Sequence, residues 1–193
     1  MTRGTSRKRL IEVTARLLRE QGYAATTVTQ ILDQSKIQRS SLYYLFPDGK
    51  AELAAAAVSE HRRQLVQGLN HLHTRYPYAR EGIAALFHFF AKELQDSDYT
   101  RGSALSHMTV GSVDEKVRLE VSKGYLHLKE SLQVWLTRSG LPTATASARA
   151  ELALTLLEGA LVLCQAHHSC EPLRQALRQL EELTPVSSPS EPG

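Results

Sequence analysis

Gln38, Arg39, Ser40 and Ser41 are consecutive and open a short helical run that ends before Pro47. A Gln amide matches the N6/N7 edge of adenine in the major groove, and an Arg guanidinium matches O6/N7 of guanine. Tyr43 and Tyr44 follow, within reach of a phosphate or a thymine methyl. Thr27 and Lys50 each stand at the N-terminus of an expected helix. Hydroxyl, amide and ammonium groups collected there suit a phosphate. The chemistry these types point to is non-covalent: reading of base edges and clamping of a polyanionic backbone.

Other reactive side chains do not assemble into a reaction centre. His71 and His73 are two apart, so on a helix they diverge by about 200°. His167-His168 with Cys170 has no matching ligand set elsewhere in the sequence. Cys164 and Cys170 define neither a disulfide framework nor zinc spacing, so a reduced cytoplasmic setting is expected. No nucleophile elbow, phosphate-cradling glycine loop or HExxH occurs. No catalytic residue, cofactor or metal is therefore expected, and the chain does not read as an enzyme. No apolar run is long enough for a bilayer, and Met1–Arg9 is polar, so neither a membrane nor a secretory leader is expected.

The charge is distributed to match. Of 193 residues, the first fifty hold nine Lys and Arg against four acids, a net of +5. The rest hold fourteen against sixteen, a net of −2. A basic head on a slightly acidic body points to a polyanion partner for the head alone.

Helical periodicity runs through almost the whole chain, and strand alternation is nearly missing, which predicts an all-α fold of about nine helices. Leu10, Val13 and Leu17 mark the first helix, stopped at Gly22. Thr27 and Gln30 have capping-box spacing and open the second. The third covers Gln38–Leu45, and Asp48 is placed to cap the fourth, which ends at Tyr76-Pro77. Further helices are expected over Ala79–Gln95, Ala104–Val110, Asp114 to Arg138, Thr145 to His168 and Pro172 to Leu183. The Pro/Ser-rich tail 185–193 reads as disordered.

The eighth helix is apolar on two sides. Ala150, Ala153, Leu154, Leu157, Leu161 and Cys164 take one, while Leu152, Leu156, Gly159 and Leu163 take the other. Such a helix must be covered twice. With little chain left to do so, the first of these sides is expected at a homodimer interface, with a central helix inside one monomer as the competing reading.

Three short helices with a tight turn before the third form the geometry by which a helix enters the major groove. At this point Arg7–Leu53 resembles the DNA-binding domain of the TetR family of transcriptional regulators. The resemblance rests on Leu10, Leu17, Leu18, Gly22-Tyr23, Ala25-Thr26-Thr27-Val28, Ile31, Ile37, Ser41-Leu42-Tyr43-Tyr44, Phe46-Pro47, Lys50 and Leu53. It implies phosphate contacts at Thr27, Tyr43, Tyr44 and Lys50, with Gln38, Arg39 and Ser40 facing bases. Four positions depart from the pattern. Lys36 replaces the usual turn Gly, so a non-glycine left-handed residue is expected there at a cost of about 1 kcal/mol. Gln38 replaces a Ser cap, Leu45 a His, and Thr14 an Ala.

Phe46-Pro47-Asp48-Gly49-Lys50, Arg101–Val110 and Leu156–Gln165 are similar to an LmrA/YxaF-like branch of that family. The resemblance implies a homodimeric repressor, released from a double-stranded DNA operator by a small hydrophobic effector. Apolar and aromatic residues on the middle helices are the effector candidates: Phe87, Phe90, Leu105, His107, Met108, Tyr125, Leu128 and Trp135. The expected domains are 1–50 for DNA, 51–184 for effector and dimer, and 185–193 as tail. The alternative is a carrier or sensor of hydrophobic molecules whose head does not bind DNA.

Overall fold

The structure, a computed structural model, describes residues 3–109 and 114–183. Among the described residues there are nine α-helices and no strand. They are α1 Arg3–Ala25, α2 Val28–Ser35, α3 Arg39–Leu45, α4 Lys50–Arg75, α5 Ala79–Asp96, α6 Ala104–Thr109, α7 Glu115–Arg138, α8 Thr143–His167 and α9 Glu171–Leu183. The all-α expectation holds. No helix of the described residues is long and apolar enough to cross a membrane. The expected tail 185–193 and Val110, the expected end of α6, lie outside the described residues.

Local signals set most boundaries. Gly22 interrupts α1 with φ 75° and ψ 176°, after which the chain makes one more helical turn to Ala25. Thr27 caps α2 through a full capping box: Gln30 N–H donates to Thr27 Oγ1 (3.2 Å), and Thr27 N–H donates to Gln30 Oε1 (2.9 Å). Asp114 Oδ1 accepts from Lys116 N–H (2.9 Å) at the start of α7. α8 begins at Thr143, two residues before the expected Thr145, with Pro142 ahead of it, and α9 takes Pro172 in its first turn, where no N–H is needed.

The chain forms two compact units. The first joins residues 1–65 to 103–125, and the second joins 66–102 to 126–193. Helices α4 and α7 thus contribute residues to both. In the first unit α1 packs on α2 and α6. Its core unites Leu10, Leu17, Leu18, Ile31, Leu42, Phe46 and Leu53 with Leu105, Met108, Val117 and Val121. The core of the three short helices is therefore completed by α6 and the start of α7, far along the chain. A head of about fifty residues buries too little apolar surface to be secure alone.

In the second unit α5, α8 and α9 pack on one another. α9 buries Leu173, Ala176, Leu177 and Leu180 along one face. Trp135 is fully buried, with its indole N–H donating to the Tyr76 carbonyl at 2.7 Å. A Cβ at Gly82 would fall 2.3 Å from Trp135 Cε2, so only glycine allows the indole to lie there.

Candidate nucleic-acid interface

The segment 38–45 is held by the turn before it. Ser35 ends α2, and Lys36 adopts φ 58°, ψ 30°, with its N–H bonded to the Leu32 carbonyl. The left-handed conformation expected at Lys36 is present. Gln38 precedes α3 in extended conformation and makes no side-chain cap. Its amide is therefore not spent on the helix end. Leu42 and Phe46 anchor α3 in the core of the first unit, while Gln38, Arg39 and Ser40 are exposed and Ser41 is half-buried.

Tyr43 and Tyr44 are 43% and 68% exposed, which is unusual for aromatic rings in a packed domain and consistent with a surface that meets a partner. Gly49 has φ 61°, and a Cβ there would stand 3.0 Å from Tyr43 Cε1. Glycine thus lets the Tyr43 ring lie against the turn into α4. The Arg7 guanidinium lies 5.3 Å from the Phe46 ring centroid.

Thr27 and Lys50 both stand at helix N-termini. Thr27 spends its hydroxyl on the capping box yet is exposed. Lys50 begins α4, half-buried, with Nζ 4.0 Å from the centroid of the Tyr23 ring. Burial pulls its pKa below the usual lysine value, because water is partly removed from the ammonium. Asp48, expected to cap α4, pairs its carboxylate with Lys116 of α7, while its N–H donates to Glu52 Oε2 at 3.1 Å.

A second tie joins the same helices. Arg62 of α4 meets Glu120 of α7 at 3.4 Å, and Lys123 meets Glu120 at 2.6 Å. Glu120 is only 17% exposed, so this pair is better shielded than the surface ion pairs around it. None of these long-range partners, and not Tyr23 under Lys50, was marked by a spacing in the sequence. Tyr23 was visible only as part of the Gly22-Tyr23 pattern, with no role attached.

The effector candidates divide between the two units. Leu105, His107, Met108 and Tyr125 belong to the first, and Phe87, Phe90, Leu128 and Trp135 to the second. Leu105 packs against Gly124, where a Cβ would come within 2.8 Å of Leu105 Cδ2. Met108 is fully buried in the first unit's core. Among the second group, Trp135 has its only polar atom already bonded.

Ala150, Ala153, Leu154, Leu157, Leu161 and Cys164, expected at a dimer interface, are buried within this chain's own layer of helices. The reason is α9, whose single apolar face needs a surface and packs on α8. The side of α8 left open carries Leu152, Gly159, Val162 and Leu163, with Val162 and Leu163 57% and 49% exposed.

Comparison with known proteins agrees with this architecture. Residues 10–57 match the family model of bacterial regulatory proteins of the tetR family. Residues 79–179 match the C-terminal domain of LmrA/YxaF-like transcriptional regulators. An HTH-type transcriptional regulator of Mycobacterium tuberculosis is 27% identical over 184 residues, 92% of this chain and 93% of the relative. LmrA, an HTH-type transcriptional regulator of Bacillus subtilis, is 27% identical over 180 residues, 90% and 93% of the two chains. In fold, a TetR-family regulator from Agrobacterium tumefaciens superimposes with a TM-score of 0.83 at 22% identity, over 95% of this chain and 100% of that one. The chain belongs to the TetR family of transcriptional regulators, with a helix-turn-helix DNA-binding domain followed by an LmrA/YxaF-like C-terminal domain.

Proposed function

We propose that this regulator is a homodimeric repressor that leaves its operator when a small hydrophobic effector binds. The observation that carries the reading is the placement of α6. By sequence α6 falls within the effector-binding part, yet Leu105 and Met108 share a buried core with Leu10, Leu17 and Leu53. An effector that binds only with α6 displaced must disturb the packing under α1. Effector and DNA then oppose each other reciprocally, as linkage demands.

In this reading Gln38, Arg39, Ser40 and Ser41 meet bases or the groove wall, and Thr27, Tyr43, Tyr44 and Lys50 hold phosphates. Two copies place their α3 helices in major-groove faces of a near-palindromic site, about 34–36 Å apart or somewhat more. The open side of α8 supports the second copy, since Val162 and Leu163 are otherwise bare to water. Phe87, Phe90, Leu105, His107, Met108, Tyr125, Leu128 and Trp135 remain the effector candidates. An operator as partner places the work in the cytoplasm.

The test is titration against DNA from upstream of its own gene, with and without hydrophobic small molecules. Salt-sensitive nanomolar binding, relieved by a ligand, is expected. Arg39→Ala should change the preferred sequence, while Lys50→Ala should weaken all sequences alike. Ligand binding with no DNA shift under any condition would establish the carrier reading instead.

A further inference from the structure

We infer that Tyr23 is a positioning residue for DNA binding, its ring holding the Lys50 ammonium in place for a phosphate. The inference rests on the reading of Lys50 as a phosphate ligand. Lys50 Nζ lies 4.0 Å from the Tyr23 ring centroid, inside the ~6 Å range over which a cation is drawn to an aromatic face.

The physical case has three parts. A lysine ends a flexible four-carbon stem, and that freedom is lost when the ammonium meets a phosphate. An ammonium already seated on a ring has surrendered much of it before DNA arrives, so less is lost on binding. The ring also excludes water from one side of the charge without neutralising it, and the ammonium keeps N–H donors for an anion on its other side. Lowered screening strengthens the attraction to phosphate.

The ring itself is set by packing. Gly22, the residue before Tyr23, is buried, with φ 75° and ψ 176°, and the His107 carbonyl oxygen lies 3.0 Å from where its Cβ would be. The backbone carrying the ring is thereby pinned between the break in α1 and helix α6. Tyr23 is half-buried in consequence, and it stands near the C-terminal end of α1, 27 residues before Lys50. No helical or strand period relates the two positions.

The experiment uses the full chain and a mixed-sequence DNA duplex, because a phosphate contact is independent of sequence. Binding is measured across a salt series for the natural protein, Tyr23→Leu, Tyr23→Phe, Lys50→Ala and the double variant Tyr23→Leu/Lys50→Ala. Tyr23→Leu is expected to weaken binding by about threefold to thirtyfold. Tyr23→Phe should bind like the natural protein, and Lys50→Ala should reduce the salt slope by about one. Tyr23→Leu should cost nothing further once Lys50 is gone. No loss in Tyr23→Leu, or an equal loss with and without Lys50, overturns the inference.

A second measurement does not depend on any variant folding. In the free natural protein the Lys50 ε-methylene protons should be shifted upfield by the ring current of Tyr23. Resonances at the random-coil position overturn the stacking directly. If the natural protein shows the ring-current shift but no salt-sensitive duplex binding, the phosphate reading of Lys50 itself fails, and the positioning role fails with it.

Discussion

A Cβ on Gly22 would lie 3.0 Å from the carbonyl oxygen of His107, so α1 and α6 meet where there is no room for a side chain. Gly22 also has φ 75° and ψ 176°, a backbone region essentially restricted to glycine. Gly22→Ala is therefore expected to cost about 1–3 kcal/mol of stability. It should also weaken duplex binding, since Tyr23 follows directly. Urea denaturation and a DNA titration read the two effects; an unchanged midpoint would mean that α6 yields freely.

Thr14 is buried in α1, and its Oγ1 has no hydrogen-bond partner. A buried hydroxyl left unsatisfied costs about 1–3 kcal/mol. Thr14→Val keeps the branched shape and removes the polar atom. It should raise stability by about 1 kcal/mol, seen as a higher urea midpoint at unchanged slope. A lower midpoint would show that the hydroxyl finds a partner in solution.

The two sides of α8 should respond differently to substitution. Leu157 is fully buried within the chain, so Leu157→Ala is expected to cost about 2–5 kcal/mol of folding stability. Val162 and Leu163 lie on the open side. Val162→Asp with Leu163→Glu should leave helical content intact and convert a dimer to a monomer in sedimentation equilibrium. Natural protein that sediments as a monomer at micromolar concentration would remove this face from consideration.

Acid should destabilise the protein through two histidines. Burial, then the charge of Arg19, pulls the His61 pKa below its ordinary value. Burial, then Arg138, does the same for His73, against a hydrogen bond with Ser131. Unfolded, each titrates near about pH 6.5. The folded chain resists the proton, so this stability is fully present above about pH 6.5 and is lost as pH falls through the lower folded values. Melting temperature should decline on the acid side, and His61→Gln should flatten that decline. A curve unaltered by His61→Gln would mean that His61 charges freely in the fold.

The parts of this molecule legible in the sequence are those governed by neighbours three or four residues apart. The capping box of Thr27 and Gln30 and the Asp114 start of α7 follow from short-range bonding, and the left-handed turn at Lys36 is what the family resemblance implies. The helical recurrence of apolar positions three and four apart sufficed for the all-α class. The eighth helix was legible as apolar on both sides. Which side faces the chain's own core was decided by α9, whose apolar face competes for the same surface.

The unit carrying α3 was likewise settled by packing. Leu105, Met108, Val117 and Val121 close the core of the first helices because that head is too small to bury itself. The same holds for the site. The proposed groove-reading role of Gln38, Arg39, Tyr43, Tyr44 and Lys50 rests on residue types that local sequence alone supplies. The ring under the Lys50 ammonium, the Lys116 partner of Asp48 and the carbonyl against Gly22 belong to the tertiary structure. Such contacts join residues with no shared period along the chain, so only the folded backbone brings them within reach.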